Sequence, residues 1–193
     1  MSNEDREKWN ERYAEPSRAP QLPSQHLLNL VEVLPTTGRA LDIAGGAGRH
    51  AIWLAQRGLL VTLVDISANG LAIAKQRAED VGVPLQALCQ DLEHEPLPLG
   101  PWDVIVSFHF LERKIWPEMR CLLAPGGILV FVQPTVRNLE LHPRPPRGFL
   151  LDEGEGLQIA TGLEIVRYDE GWLCEGRHEV VVVARRNEAA ALQ

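Results

Sequence analysis

The sequence predicts an α/β domain built on a mostly parallel sheet that an antiparallel hairpin closes. Three observations carry that prediction. From Arg39 onward, short apolar runs alternate with helical patterns, as in strand–helix–strand units with right-handed crossovers. A glycine cluster, Gly45-Gly46-Ala47-Gly48, falls where the first such run turns into a helix. The last two apolar runs, 163–168 and 179–184, leave no room between them for a crossover helix, so they should pair antiparallel.

Taken in order, the opening stretch 2–13 is polar apart from Trp9 and Tyr13. Four residues apart, these two share one helical face, which predicts a short helix docking by its aromatics. Pro16, Pro20 and Pro23 interrupt the chain before a second helix over 27–34, with Ser24 as its N-cap and Pro35 just past its end. Residues 1–35 are expected to form a helical cap, 36–186 the core and 187–193 a frayed tail. Strands are predicted at 40–43, 59–65, 85–89, 102–108, 128–132, 163–168 and 179–184. The run over 59–65 is apolar almost without alternation, as in a strand buried on both faces of a parallel sheet. Helices fill 48–57, the stretch capped by Ser67 and about 114–123. Their stop signals are Gly58, then Gly82 with Pro84, then Pro125-Gly126-Gly127.

Composition narrows the function classes. At 193 residues, 45% of them hydrophobic, the chain suits one domain with a sizeable core rather than general disorder. A net charge of -7 provides no general attraction to nucleic acid or to an anionic membrane, so neither is expected as a partner. The charged N-terminus lacks an apolar signal region, and no apolar run nears the roughly 20 residues of a membrane span. A cytoplasmic location is the expectation. Cys89, Cys121 and Cys174 are too scattered for a zinc site or a disulfide framework. They are expected as free thiols buried like small hydrophobes, with no metal bound.

The glycine loop marks a ligand crevice, and its ligand reads two ways. Gly46-Ala47-Gly48-Arg49-His50-Ala51 fits the dinucleotide fingerprint G-x-G-x-x-A. Asp42, at the strand end just before the loop, argues otherwise. A carboxylate there repels a pyrophosphate and attracts a cationic ligand. S-adenosyl-L-methionine (AdoMet) brings a sulfonium and an ammonium, and no phosphate. Asp65 closes the second strand at the distance where a carboxylate accepts ribose hydroxyls, which fits either cofactor. Asp91, just past the third strand, is placed to reach an adenine amino group, with Leu92 near the ring. Three carboxylates ending three successive strands favour AdoMet.

These motifs resemble the class I AdoMet-dependent methyltransferases: Leu41-Asp42-Ile43-Ala44-Gly45-Gly46-Ala47-Gly48, Val64-Asp65-Ile66-Ser67, Gln90-Asp91-Leu92 and Leu123-Ala124-Pro125-Gly126-Gly127. The resemblance runs over 39–184. It implies a three-layer Rossmann-like fold with a seven-stranded sheet. It also implies cofactor contacts from Tyr13, Asp42, Ala44, Gly45, Gly46, Gly48, Arg49, Asp65, Ile66, Asp91, Leu92 and Ser107. One departure is Ala44, where the family's loop usually begins with Gly; the added methyl is expected to narrow the methionine end. Trp9-Asn10-Glu11-Arg12-Tyr13 and Gly48-Arg49-His50-Ala51-Ile52-Trp53-Leu54-Ala55 resemble the tellurite-resistance methyltransferases and related small thiol or oxyanion methyltransferases. In that group the N-terminal aromatic helix folds over the cofactor, which implies that Tyr13 and Arg12 meet the methionine portion. Simple docking by Trp9 and Tyr13 remains the alternative.

The fourth strand ends at Ser107-Phe108-His109-Phe110, the position that faces the transferred methyl in this fold. Methyl transfer is an in-line displacement, so alignment and desolvation supply much of its acceleration. A base is needed only when the nucleophile arrives protonated, and His109 is the candidate. The Asn-Pro-Pro-Tyr tetrad of many nucleic-acid methyltransferases is absent. A proline-stiffened segment, 134–150, carries Arg137, His142, Arg144 and Arg147, either as an anion-holding loop or as a solvated one. His109, Arg113 and Arg147 are thus the candidate catalytic residues, and the acceptor is expected to be a small thiol or a metalloid oxyanion of the tellurite or selenite type. The chain is expected to act as a monomer or homodimer. An AdoMet-binding module without transferase activity is the competing reading.

Overall fold

A computed structural model describes residues 3–188. Seven strands form one sheet: β1 (Arg39–Ile43), β2 (Leu60–Asp65), β3 (Leu85–Cys89), β4 (Trp102–Phe108), β5 (Leu123–Pro134), β6 (Glu164–Trp172) and β7 (His178–Arg185). Their order is β3-β2-β1-β4-β5-β7-β6. The first five run parallel, and β7 is antiparallel to both β5 and β6. The chain steps outward from β1 to β3 and then returns to place β4 on the other flank of β1. That reversal opens a crevice at the carboxyl ends of β1 and β4, where doubly wound sheets bind ligands.

Alternate residues of each strand feed two cores, one on each face. Val104, Val106, Val130 and Val132 pack on one side with Ala51, Leu54, Leu71 and Ala74. Those four come from helices α3 (Arg49–Gln56) and α4 (Ala68–Asp80). On the other side Ile105, Leu129 and Phe131 pack with Trp116 and Met119 of α5 (Trp116–Leu122). Helix, sheet and helix make three layers.

The N-terminal segment is pinned across the first face. Helix α1 (Asn3–Arg12) contacts α4 through Asn10, whose side-chain oxygen accepts from the Ser67 hydroxyl at 2.9 Å. The Asn69 amide donates to the Asn10 carbonyl, also at 2.9 Å. Ser67 meanwhile caps α4 by accepting from Gly70 N at 3.0 Å.

Two expectations need correction. The second helix, expected over 27–34, is only α2 (Gln25–Leu28), after which loose turns carry Leu30 and Leu34 into the core. Asn29 ends it. Its side chain accepts from Gln25, a local bond that competes with helix propagation. The cysteines are free but all three are exposed, not buried. Cys89 ends the edge strand β3, Cys121 lies on the outer side of α5, and Cys174 sits in the β6–β7 turn. The expected tail begins within the structure at Asn187 and Glu188, and the rest of it lies outside the described residues. Among the described residues, no helix is long and apolar enough to cross a membrane.

Candidate active site

A cavity of about 640 Å³ opens over the carboxyl ends of β1, β2 and β4, within the usual range for a small-molecule site. The glycine loop forms its floor. Ala44, Gly46 and Gly48 all have left-handed backbone, with φ of 53°, 56° and 77°. Only Ala44 does so with a side chain, at a cost of about 1–2 kcal/mol. Gly45 is fixed by packing instead: a Cβ there would collide with Leu63 and with the Asp42 carboxylate. A Cβ on Gly46 would collide with the Tyr13 hydroxyl, because that ring approaches the loop hydroxyl-first. Trp9 stacks beside Tyr13, their centroids 6.1 Å apart.

Two carboxylates line the β1–β2 side. Asp42 is buried, and its Oδ2 accepts from Ala51 N at 3.1 Å. It caps α3 from a distance, since the N-cap residue Gly48 has no side chain to do so. Its Oδ1 is buried without a partner. Burial pushes the carboxyl up to about 7, opposed by the Ala51 amide and assisted by the charge on Asp65. Asp65 is held on both oxygens at 2.8 Å, by Gly46 N and by Ser67 N. Burial raises it too, against those amides. Arg49 lines the same cavity and makes no hydrogen bond or ion pair among the described residues. Burial draws its guanidinium down from the usual range, and the attraction of Asp42 opposes that.

A second part of the lining is built of imidazoles, two of them backed by a third carboxylate. Glu179 is the second residue of β7, buried after His178, and sits on the face shared by Val181 and Val183. Its Oε1 meets His109 Nε2 at 3.0 Å, and its Oε2 meets His26 Nε2 at 3.2 Å. Arg177 approaches Oε1 at 3.5 Å. Burial works against the charge. The hydrogen bonds from His109 and His26, then the charges of His109 and Arg177, overcome it and hold the carboxyl well below the usual range. His109 itself has φ of 58°, a second left-handed residue with a side chain. His50 stacks on Phe108 at 4.0 Å and accepts from Ser24 N at 3.3 Å. Burial, then Arg49 and His109, keep it far below the usual histidine range and therefore neutral.

The structure thus brings Tyr13, Asp42, Ala44, Gly45, Arg49, Asp65, Ile66 and His109 to one cavity. Other residues singled out from the sequence lie elsewhere. Gly46 is covered by Tyr13, and Gly48 faces Ala74, whose Cβ is 2.8 Å from where a Cβ on Gly48 would sit. Asp91 accepts from Glu93 N and meets His94; Leu92 is core and Ser107 is buried inside β4. None of the five is a cavity wall. Arg113 is paired with Glu155 and Arg147 with Asp152, both away from the cavity. Arg137 is paired with Glu140, so this loop neutralises much of its own charge. Sequence reasoning missed His26, His50, Arg177 and Glu179. The one available signal was a carboxylate opening an otherwise apolar strand, Glu179-Val180-Val181-Val182-Val183.

Solved structures share this fold, one of them with bound AdoMet. Magnesium protoporphyrin IX methyltransferase from Synechocystis PCC 6803 superposes with a TM-score of 0.69 over 96% of each chain, at 20% identity. The chain has the class I methyltransferase fold. The same methyltransferase fold superposes on TehB from Haemophilus influenzae with a TM-score of 0.73, covering 93% of this chain and 67% of that one at 20% identity. A family model described as a methyltransferase domain matches residues 40–127, from β1 into β5. In sequence, the chain is 34% identical over 124 residues to the tRNA 5-carboxymethoxyuridine methyltransferase of Escherichia coli, covering 58% of this chain and 46% of that one. The chain therefore spans about half the length of the curated relatives it matches.

Proposed function

We propose that this chain is an AdoMet-dependent methyltransferase acting on a small-molecule acceptor. The unpartnered, buried Oδ1 of Asp42 carries the reading. A buried carboxylate oxygen without a donor costs stability unless a ligand supplies one, and a cationic ligand supplies the strongest kind. AdoMet supplies an electrophilic methyl group on a sulfonium, beside an ammonium and a carboxylate. Asp42 suits the cationic end, and Asp65 keeps spare lone pairs for ribose hydroxyls. Arg49, half-buried and unpaired among the described residues, suits the amino acid carboxylate. Tyr13 would have to slide along the loop as the ligand enters, which fits a cap that closes over the cofactor.

A soft or anionic acceptor, a thiol or a metalloid oxyanion, is supported by the imidazole and guanidinium groups that line the cavity. Isothermal titration with S-adenosylhomocysteine, with NADH as control, tests the cofactor half. Saturable binding of the first alone is expected, and binding of NADH alone would overturn it. Methyl transfer from AdoMet across thiols, selenite and tellurite tests the other half. Saturable binding with no turnover of any acceptor would favour a binding module without transferase activity.

A further inference from the structure

We infer that Glu179 is a positioning residue that fixes the proton on Nε2 of His109 and so leaves Nδ1 as a base for a protic acceptor, a thiol or hydroxyl. This deepens the methyltransferase reading and rests on it. The argument starts from hydrogen-bonding capacity. An ionised carboxylate can only accept, so each imidazole nitrogen that touches it must carry a hydrogen. Nε2 of His109 and Nε2 of His26 therefore both donate to Glu179. In its neutral form each ring keeps its single lone pair on Nδ1, and neither Nδ1 has a hydrogen bond among the described residues. His50, by contrast, accepts at Nε2 from Ser24 N and so carries its proton on Nδ1. The cavity holds both tautomers, each chosen by its neighbour.

The placement supports a working role for His109. It follows β4 directly, its amide donates to Val132 O at 2.8 Å, and its side chain is about one-third exposed to the cavity. A left-handed φ at a residue with a side chain is held there only by its surroundings, and such strain concentrates at functional sites. The titratable groups around Glu179 are His109 after β4, His26 from α2, Arg49 and His50 from α3, and Glu175 and Arg177 before β7. Its strand neighbours Pro134 and Gly171 carry none. An oxyanion such as selenite attacks through a lone pair on its chalcogen and needs no base, whereas a thiol or hydroxyl does. In the step itself, the acceptor's proton passes to His109 Nδ1 while its lone pair bonds to the methyl carbon. The carbon–sulfonium bond breaks and its electron pair stays on the departing sulfur. The imidazolium then returns the proton to water, still donating from Nε2 to Glu179.

The test compares the wild type with Glu179→Gln on alkyl and aryl thiols of graded acidity at one pH. A glutamine offers one acceptor oxygen and one donor NH2 group, so the ring that faces the NH2 must accept at Nε2 and carry its proton on Nδ1. Thiols that are protonated at the assay pH should lose about 10²–10⁴-fold in kcat, the usual worth of a positioned base. Thiols acidic enough to arrive as thiolates should lose under about tenfold, and the affinity for S-adenosylhomocysteine should stay within about twofold. Glu179→Asp should recover part of the loss, and it replaces Glu179→Gln should that variant not fold. Nitrogen-15 NMR of the imidazoles reads the tautomer without any turnover, and protonated Nε2 with bare Nδ1 is expected at His109. Equal losses for every thiol, or a proton on Nδ1 of wild-type His109, would overturn the inference. Wild-type protein that binds S-adenosylhomocysteine but methylates only selenite or tellurite also overturns it, while leaving the cofactor reading intact. Failure to bind S-adenosylhomocysteine at all removes both.

Discussion

Asp42 and Glu179 are both almost wholly buried, at 1% and 3% exposure. The first lines the cavity and the second stands behind the His26 and His109 that line it, yet their carboxyls shift in opposite directions. Asp42 has one backbone amide on one oxygen and nothing on the other, so burial dominates and it rises to about 7. Glu179 has an imidazole on each oxygen and Arg177 beside it, and it stays ionised. Equal burial does not produce equal chemistry; the number of donors decides. The first carboxylate keeps one buried oxygen without a donor. The second is already complete, and its work is to hold its partners.

The largest expected effect tests the floor of the cavity. Gly45→Ala drives a methyl into Leu63 and the Asp42 carboxylate, and should cost about 3 kcal/mol or more, seen as a lower urea midpoint. Asp42→Asn comes next. A carboxyl raised by folding stabilises the protein fully below its unfolded value, near 4, and loses that advantage as the pH climbs through about 7. The ionised form is thus the costly one, and the asparagine variant should be roughly 2–4 kcal/mol more stable than the wild type at pH 8. It should match the wild type more closely at pH 5, while binding S-adenosylhomocysteine about 10–100-fold more weakly. Thermal melts at the two pH values and a titration check these together.

Glu179→Gln should show the opposite sign. A carboxyl lowered by folding contributes stability above its unfolded value, near 4.5, and loses it as the pH falls toward the folded one. The variant should be about 1–3 kcal/mol less stable at pH 7, with the gap shrinking on acidification. Equal and parallel responses of the two variants to pH would break the comparison. The smallest effect is Ala44→Gly, which relieves the left-handed backbone and should gain about 1 kcal/mol, or some 2–4 °C in Tm.

The two carboxylates and their surroundings also differ in how far they were legible in the sequence. Asp42, Gly45, Arg49 and Asp65 lie within 24 residues of one another at strand ends, so alternation and the glycine cluster place them together. The strands read the same way: β3 and β4 have the predicted bounds, because Pro84 and Gly100-Pro101 punctuate them. The imidazole wall joins Glu179 to partners 153 and 70 residues away. No local period encodes that meeting. It follows from β7 inserting antiparallel between β5 and β6 and from the α2 segment crossing the first face of the sheet. The 134–150 loop could be read from the sequence as an anion-holding loop or a solvated one, because sequence shows its charge without showing Glu140 and Asp152 paired with Arg137 and Arg147.

The most direct test is a titration of the wild-type protein with S-adenosylhomocysteine between pH 6 and 8.5, in buffers of differing ionisation enthalpy. The ligand's ammonium should require ionised Asp42, so binding should tighten as the pH rises through about 7 and should release a proton near that pH. Asp42→Asn should abolish the release. Absent binding, or binding with neither pH dependence nor proton release, would contradict the account.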